Sequence, residues 1–314
     1  MIRNATLAGI AVLFATIAQT AEPGFADPVL GRWDLTVEST DISFPSWLEI
    51  RLRTEEQLMA RLVGQFGSVR HATTVSYRDD ELMVSVPVQY ERGTEELVFT
   101  GSRRADSLIG LVGLVGLNGS TLPWSGTRAP SLKRDAKPAW GQPVPLIGSD
   151  LSGWRMRQGT DAGCWSVSDG ILKATPPCVD IITDREFDDF QLRLEFRYPP
   201  GSNSGVYLRG RYEVQIQDDY GKALDPLRLG GIYGFIAPTS DAARPAGEWQ
   251  IYEIQLVGRR VTVILNGTEI ISNREIPGIT GGALDSHEGS PGPLMLQGDH
   301  GPIEYRNVFI ATGQ

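Results

Sequence analysis

Residues 203–216 read NSGVYLRGRYEVQI and give the clearest structural signal in the second half of the chain. Apolar and polar residues alternate along it with the period of two that is typical of a half-buried β-strand. The pattern predicts one strand that covers residues 205–216. Its apolar face carries Val206, Leu208, Val214 and Ile216, and its polar face carries Tyr207, Arg209, Arg211, Glu213 and Gln215.

A second alternating stretch, QLRLEFR at residues 191–197, predicts another strand. Further strands are predicted over residues 249–257, 260–265 and 303–310, and the dipeptide Asn266-Gly267 is a strong hairpin signal. No segment shows a convincing amphipathic helix. The second half is therefore predicted to be all-β. In the 191–197 strand, the apolar face carries Leu192, Leu194 and Phe196, and the polar face carries Arg193, Glu195 and Arg197.

The first half of the chain also consists of short predicted strands. Seven or more of them follow one another between residues 32 and 115, with turn residues between them. Their close spacing predicts an antiparallel meander that forms either a small barrel or a sandwich. Residues 129–146 read APSLKRDAKPAWGQPVPL, which is typical of a proline-rich linker. The predicted organisation is a small all-β domain over 22–130, a linker over 131–145 and a second β-domain over 146–314.

Composition argues against several classes of protein. The 314 residues include 36 glycines and 20 prolines, and because no collagen period orders the glycines, they indicate many turns. The formal net charge is −9 and the pI is about 5.0, without a basic cluster. An acidic chain of this kind is a poor partner for nucleic acid or for an anionic membrane.

The N-terminal residues have the pattern of a secretory signal peptide. Arg3 precedes an apolar run from Ala5 to Ala18, and small residues permit cleavage after Ala18 or after Ala21. This run is short for a membrane span, and no second apolar stretch of span length follows. We therefore expect residues 1–21 to be a signal peptide and the mature protein to be periplasmic or secreted.

Export makes the two cysteines, Cys164 and Cys178, candidates for a disulfide. The segment between them reads as a strand, an Asp-Gly turn and a second strand. A bridge would close a loop of about 15 residues, which is worth about 3 kcal/mol in the chain-entropy description. Free or metal-bound thiols are the alternative, although two cysteines alone make an incomplete zinc site.

The polar faces of the predicted strands carry side chains that commonly bind sugars, namely amides, guanidinium groups, a carboxylate and an aromatic ring. A solvated outer face with surface ion pairs is the alternative. Near the C-terminus, Gln297, Asp299 and His300 lie beside glycines, and an Asp-His pair can serve acid–base chemistry. A loop histidine that caps a turn is the alternative for His300.

Together, several ordered blocks of this sequence resemble the family of 3-keto-disaccharide, or 3-keto-glycoside, hydrolases. The resemblance covers residues 146–312, nearly all of the second predicted domain. It implies a concanavalin-like or laminin-G-like antiparallel β-sandwich of the jelly-roll type, with a concave sheet that binds sugar. The blocks are residues 203–216, Gly230-Gly231-Ile232-Tyr233, Gly247-Glu248-Trp249, Leu265-Asn266-Gly267, the stretch from Pro291-Gly292-Pro293-Leu294 through His300-Gly301, and Arg306-Asn307.

The resemblance also implies an activity on glycosides that carry a ketone at C3. The ketone acidifies the C2 hydrogen, a base removes it, the enediolate expels the C1 aglycone, and water then adds. On this basis Glu213 is the predicted base, His300 the acid or the enolate partner, and Arg209 or Arg211 the group that stabilises the anion. A divalent metal held by Glu and His is an alternative to the arginine. The predicted substrate-binding residues are Arg211, Gln215, Asn203, Tyr207, Glu195, Arg197, Trp249 and Gln297.

Two other functions stay open from the sequence. One is a non-catalytic carbohydrate-binding module, because sandwich folds host many functions. The other is an ordinary glycoside hydrolase that uses two carboxylates, with Glu195 or Asp218 beside Glu213. The aglycone, the linkage and the oligomeric state do not follow from the sequence.

Overall fold

The computed structural model describes residues 27–39, 43–54, 57–91, 96–114, 121–159 and 163–314. Within these ranges the chain forms 22 strands, one three-residue 3-10 helix and no α-helix. All strand pairs are antiparallel, and they form three sheets. The predicted all-β, antiparallel fold class is confirmed.

The first sheet has nine strands and curves round a core of its own. Its strand order is β4-β3-β2-β1-β9-β8-β7-β6-β5, so its two edge strands are consecutive in the chain. Only residues 72–73 separate them, which brings the two edges together as an open barrel. The strands are β1 Gly31–Val37, β2 Phe44–Thr54, β3 Gln57–Val63, β4 Arg70–His71, β5 Thr74–Arg78, β6 Glu81–Val86, β7 Leu97–Arg104, β8 Ser107–Leu114 and β9 Thr121–Arg128.

The other two sheets pack face to face as the predicted β-sandwich. The larger sheet has the order β12-β13-β22-β15-β18-β19-β20, with β10 also paired to β22, and the smaller sheet has the order β11-β14-β21-β16-β17. The strands are β10 Val144–Pro145, β11 Trp154–Met156, β12 Trp165–Ser168, β13 Ile171–Ala174, β14 Ile181–Phe187, β15 Phe190–Arg197, β16 Asn203–Leu208, β17 Tyr212–Gln217, β18 Gln250–Val257, β19 Arg260–Leu265, β20 Thr268–Glu275, β21 Gly292–Leu296 and β22 Ile303–Thr312.

The apolar faces predicted from alternation do meet in the core of this sandwich. The larger sheet contributes Leu192 and Leu194 from β15, and the smaller sheet contributes Val206 from β16 and Val214 from β17. These side chains are almost fully buried. Burial of this alternating apolar set is what holds the two sheets together.

The prediction of one continuous strand over residues 205–216 is wrong. The stretch forms a hairpin, because Arg209 and Gly210 take positive φ values of 52° and 67° and turn the chain back on itself. Tyr207 and Glu213 are therefore direct cross-strand partners. The two arginines, which alternation placed on the polar face with Glu213, lie instead in the turn.

The first sheet rests on the loops of the sandwich. The ring of Trp47 on β2 packs edge-on against Phe235, with their centroids 5.4 Å apart. The backbone N–H of Gly282 donates a hydrogen bond of 2.8 Å to the carbonyl of Gln65. Thr36 and Ser286 are hydrogen-bonded through their hydroxyl groups at 3.3 Å. The domain boundaries proposed at 22–130, 131–145 and 146–314 stay a prediction.

Cys164 and Cys178 are joined by a disulfide, with their Cα atoms 5.4 Å apart. The bond spans the β12–β13 hairpin, so it ties one end of the larger sheet to the loop before β14. The predicted signal peptide over residues 1–21 lies outside the described residues. Within the described ranges, no helix has the length and hydrophobicity needed to cross a membrane.

Candidate active site

The outer face of the smaller sheet carries a cluster of polar side chains. The side chain of Tyr207 points to this face, because its neighbours Val206 and Leu208 point into the core. On one side of β16, Tyr207 pairs with Glu213 of β17. On the other side, Tyr207 pairs with Met295 of β21. The backbone N–H of Gln297 donates to the carbonyl of Gly205 at 3.0 Å, which continues this register. The site is therefore built on β16, with β17 at the edge of the sheet and β21 on the other side.

Glu213 is buried at the base of the site, with 3% of its surface exposed. Its Oε2 atom lies 3.0 Å from the phenol oxygen of Tyr207, which also lies 3.0 Å from the carbonyl oxygen of Gly281. A phenol has a single hydrogen to donate. It can donate to Glu213 when the carboxylate is ionised, and to Gly281 when Glu213 is protonated and donates to the phenol. Tyr207 can thus accommodate both states of Glu213.

Burial raises the pKa of Glu213 to about 8, against the smaller lowering effects of the Tyr207 hydrogen bond and of His300. The carboxyl group is accommodated because residue 205 is a glycine. A Cβ atom at that position would come within 2.9 Å of the Cγ and 3.0 Å of the Cδ of Glu213. Since such contacts are too short for carbon atoms, the missing side chain of Gly205 creates the space that the carboxyl group occupies.

His300 lies at the open side of this cluster. Its Nδ1 atom is hydrogen-bonded to the carboxylate of Asp299, and its ring is about half exposed. The hydrogen bond to Asp299 raises the pKa of His300, and the charges of Glu213 and Asp180 raise it further. A protonated imidazole near Glu213 can both donate a proton and offset a negative charge.

The structure adds two residues that sequence reasoning missed, Asp180 and Arg157. Asp180 is buried and accepts hydrogen bonds from the N–H of Gly298 and from Arg157, at 3.1 and 3.0 Å. Burial, together with the charge of Asp299, raises the pKa of Asp180. The Arg157 guanidinium also donates to the carbonyls of residues 282 and 283, which holds the loop that faces Tyr207. Neither residue lies in a recognisable motif, so only their spatial position shows their relation to the site.

Two amide oxygens at the site have no hydrogen-bond partner, although they are buried. They are Oδ1 of Asn203 and Oε1 of Gln297. Buried acceptors of this kind are usually satisfied. Hydroxyl donors of a sugar would supply the missing hydrogen bonds. Both residues were predicted as substrate-binding residues, and their position on the face that carries Glu213 is consistent with that prediction.

The structure does not bring Arg209 or Arg211 to this site. Arg209 is fully buried and binds Asp188, the Tyr212 hydroxyl and the Gly258 carbonyl. Arg211 forms an ion pair with Asp285 at 2.7 Å. Both guanidinium groups are thus engaged by internal partners. The hairpin turn removes both arginines from the polar face, so their predicted roles as anion stabiliser and sugar ligand stay predictions without support from this geometry.

Gln215 lies on the same face as Glu213, but its amide group has protein partners. Its Nε2 atom donates to the carbonyl of Leu227 at 3.3 Å, and its Oε1 atom accepts from the backbone N–H of Ile216 at 3.0 Å. The side chain is almost fully buried. Gln215 therefore supports the strand and the adjacent loop in this geometry, whereas sequence reasoning predicted a direct contact with sugar.

Three predicted substrate-binding residues, Glu195, Arg197 and Trp249, belong to the other side of the sandwich. Glu195 and Arg197 lie on β15, whose outer face is the outer face of the larger sheet. Glu195 accepts a 2.7 Å hydrogen bond from Arg306. The Trp249 ring lies under the guanidinium groups of Arg197 and Arg306, at 4.7 and 4.0 Å. These side chains form a separate cluster, so Glu195 is not the second carboxylate beside Glu213.

The alternative carboxylate, Asp218, follows β17 in a loop and accepts a hydrogen bond of 2.9 Å from the N–H of Gly201. The carboxylates whose charges act on Glu213 are instead Asp180 and Asp299. No group of three or more His, Cys, Asp or Glu side chains that could hold a metal ion occurs among the described residues.

The sequence profile of the 3-keto-alpha-glucoside-1,2-lyase-like domain matches residues 142–311. Three solved structures of proposed glycosyl hydrolases from Parabacteroides distasonis are similar to this chain. The first is 30% identical, with a TM-score of 0.47, and the alignment covers 54% of this chain and 82% of the other. The second is 22% identical, with a TM-score of 0.47 and coverages of 55% and 94%. The third is 28% identical, with a TM-score of 0.44 and coverages of 54% and 98%. No curated protein matches the sequence.

Proposed function

Because the chain belongs to the family of 3-keto-alpha-glucoside-1,2-lyase-like domains, we propose that it cleaves 3-keto-glycosides by elimination across C1 and C2. Membership of the family makes it a carbohydrate-active, hydrolase-like protein. The observation that carries the proposal is a buried carboxyl group, Glu213, whose pKa of about 8 suits a general base near neutral pH.

The first step is proton transfer from C2 of the sugar to the carboxylate of Glu213. The C3 ketone makes this hydrogen acidic, because the electrons of the C–H bond move into an enediolate. Burial disfavours the charged form of Glu213, so the carboxyl group becomes more stable when it gains the proton. The phenol of Tyr207 can then donate to the Gly281 carbonyl instead of to Glu213. The site is thus arranged to hold the proton that it removes.

The second step is loss of the aglycone from C1. The enediolate re-forms the C3 ketone and a C1–C2 double bond, and the C1–O bond breaks with its electrons on the leaving oxygen. His300, whose pKa is raised by Asp299, is the proposed proton donor to that oxygen. Its positive charge also offsets the charge of the enediolate, which is the role that sequence reasoning gave to Arg209. Addition of water across C1 and C2 then completes a net hydrolysis.

The unpaired amide oxygens of Asn203 and Gln297 are proposed to accept hydrogen bonds from hydroxyl groups of the oxidised sugar. These bonds would orient the ring so that C2 faces Glu213.

The proposal is tested with a purified 3-keto-disaccharide and its unoxidised parent, with product analysis for both. Cleavage of the keto form alone is the expected result. Cleavage of both sugars would show an ordinary glycoside hydrolase, and binding without cleavage would show a carbohydrate-binding module. Either of these results would overturn the proposal.

We further propose that the protein is exported, to the periplasm or the medium, with residues 1–21 as its signal peptide. The Cys164–Cys178 disulfide supports this, because such bonds persist in oxidising compartments. N-terminal sequencing of the protein recovered from fractionated cells tests it. A mature chain that starts after Ala18 or Ala21 and is found outside the cytoplasm is expected, and an intact N-terminus in the cytoplasmic fraction would contradict it.

A further inference from the structure

A residue of the first sheet, Tyr90, lies beside the candidate active site. Its phenol lies close to that of Tyr233, a residue of the sandwich. The backbone N–H of Tyr233 donates to the carbonyl of Glu213 at 3.0 Å. Burial is the largest effect that raises the pKa of the Tyr233 phenol, and Tyr90 and Glu213 add to it. The side chains of Tyr90, Tyr233 and Glu213 are therefore close in space. Tyr90 thus reaches the edge of the site from outside the matched family region.

The loop that carries Tyr90 is held by an ion pair between a buried arginine and a partly exposed glutamate. Arg70 is buried, donates to the carbonyl of Pro87 at 2.9 Å and pairs with Glu91 at 2.9 Å. The Glu91 carboxylate accepts the backbone N–H groups of Gln89 and Tyr90, at 2.9 and 3.3 Å. These bonds fix the backbone on both sides of the tyrosine. Nevertheless, 66% of the surface of Tyr90 is exposed.

A neighbouring loop of the first sheet connects Tyr90 to the site. A Cβ atom on Gly67 would lie 2.8 Å from the Cδ2 atom of Tyr90, so the loop of Gly67 contacts the loop of Tyr90. Gly281 in turn lies against the backbone of Gly67. Gly281 supplies the carbonyl that binds Tyr207. The residue before Gly67 is Phe66, and 54% of its surface is exposed. Two exposed aromatic residues therefore lie in loops that border the site.

Exposed aromatic side chains that lie together beside a polar site can form a surface for a ligand. The face of such a ring binds the C–H groups of a sugar, while its edge leaves the hydroxyl groups to polar partners. Glu213 is buried at the base of the site, so a sugar whose C2 reaches it must extend its leaving group outwards, towards the border. The rings of Tyr90 and Phe66 are available there to contact the leaving group.

We propose that Tyr90, with Phe66 on the neighbouring loop, forms an aromatic subsite for the leaving-group sugar of a disaccharide. The inference rests on the proposed function, because it takes Glu213 as the place where C2 reacts. It gives the first sheet a role, namely selection of disaccharides over glycosides with a small aglycone. Tyr90 acts here by contact with substrate, and Phe66 enlarges the same apolar surface.

The test compares Tyr90→Ala and Tyr90→Phe on a 3-keto-disaccharide and on the corresponding 3-keto methyl glycoside. For Tyr90→Ala, KM for the disaccharide should rise about tenfold, which is the loss of one aromatic contact, while kcat stays within about twofold. KM for the methyl glycoside should not change. Tyr90→Phe should behave like the wild type, because it keeps the ring and removes only the hydroxyl group. Leu111→Ala, an exposed change on β8 outside both loops, is the control and should leave both KM values unchanged.

Three results would overturn the subsite. They are an equal loss on both substrates, a fall in kcat without a change in KM, and a Tyr90→Phe variant that behaves like Tyr90→Ala. Each would show that Tyr90 only braces Tyr233. Calorimetric binding of the unoxidised disaccharide tests the subsite independently of turnover. If no keto substrate is cleaved but Tyr90→Ala still weakens this binding, the proposed reaction fails and the subsite stands, whereas equal binding by both proteins overturns the subsite.

Discussion

Glu213 shows how a single buried carboxyl group becomes a base near neutral pH. Removal from water raises its pKa to about 8, because burial penalises the charged form. The charge of His300 and the hydrogen bond from Tyr207 limit this rise. A carboxylate with a pKa near the working pH is a stronger base than an exposed one and is still ionised often enough to act.

At the residue scale, Glu213→Gln should lower kcat by about 10²- to 10⁴-fold on a 3-keto-disaccharide, because the amide cannot accept the C2 proton. Glu195→Gln makes the same chemical change on the larger sheet, where the carboxylate binds Arg306, and should leave kcat within about twofold of the wild type. Steady-state kinetics with circular dichroism as a fold check measures both. Similar losses in the two variants would show that Glu213 is not the base.

The pH profile is a second prediction at this scale. Only the ionised form of Glu213 accepts a proton, so the rising limb of the kcat/KM profile should lie at a pH of about 8, and loss of the His300 proton should lower kcat/KM at higher pH. The Tyr207 hydrogen bond lowers the pKa of Glu213, so Tyr207→Phe should move the rising limb to higher pH. Tyr198→Phe removes a buried hydroxyl that binds Gln250 and should leave the limb in place. If the rising limb of the kcat/KM profile lies at the same pH in Tyr207→Phe as in the wild type, Glu213 is not the group that produces it.

At the scale of the element, the β16–β17 hairpin brings Tyr207 and Glu213 together. Its two strands pair residue by residue, with Gly205 opposite Gln215 and Tyr207 opposite Glu213. The carboxyl group of Glu213 leans over Gly205, where a side chain would collide with it. The hairpin therefore supplies the base, its hydrogen-bond partner and the space that both need.

Gly205→Ala should consequently displace the carboxyl group without unfolding the sandwich. A shift of about 1 Å at a reacting group can cost about 10²-fold in rate, and we expect a loss of kcat of this size. Gly148→Ala is the matched control, because a Cβ atom there meets no atom within 4 Å and its backbone has no positive φ. The measurement is kcat of the two purified variants and the wild type on a 3-keto-disaccharide. Full activity of Gly205→Ala would show that Glu213 does not need this position.

At the scale of the whole molecule, a buried carboxyl group lies where the first sheet meets the sandwich. Burial raises the pKa of Asp34 on β1 to about 9, and the nearby charge of Glu288 adds to this, whereas Arg259 and Arg211 lower it. The folded protein thus keeps a proton that the unfolded chain releases near its ordinary value of 3.8. The bound proton of Asp34 stabilises the folded state. This stabilisation is fully present below pH 3.8 and is lost as the pH rises through about 9.

Asp34→Asn should therefore flatten the fall in melting temperature between about pH 4 and about pH 9, because the amide does not ionise. The difference from the wild type should be small at pH 5 and should grow to several degrees at pH 9. Asp135→Asn, an exposed change in the stretch before β10, is the matched control and should follow the wild-type curve. Parallel curves for Asp34→Asn and the wild type would show that Asp34 ionises normally in the folded protein.

Alternation along the strands predicted much of this molecule. It predicted the all-β class, the apolar sets of β15, β16 and β17, and Glu213 as a member of a polar face. It failed at Arg209, because a turn with positive φ can occur inside an alternating pattern without interrupting it. Alternation also could not show that Glu195 and Glu213 belong to different sites, because both residues alternate with core residues. In the structure they lie on different sheets.

Within each strand, residue order alone predicts which side chains point away from the core, because the period of two is a property of consecutive residues. Only the tertiary structure decided which of these outward faces contains the candidate site. That depends on pairing between distant segments, such as β16 with β21, and on the loops of the first sheet that reach Tyr233 and Gly281. The neighbours that raise the pKa of Glu213 are likewise set by packing, so no local pattern could have shown them.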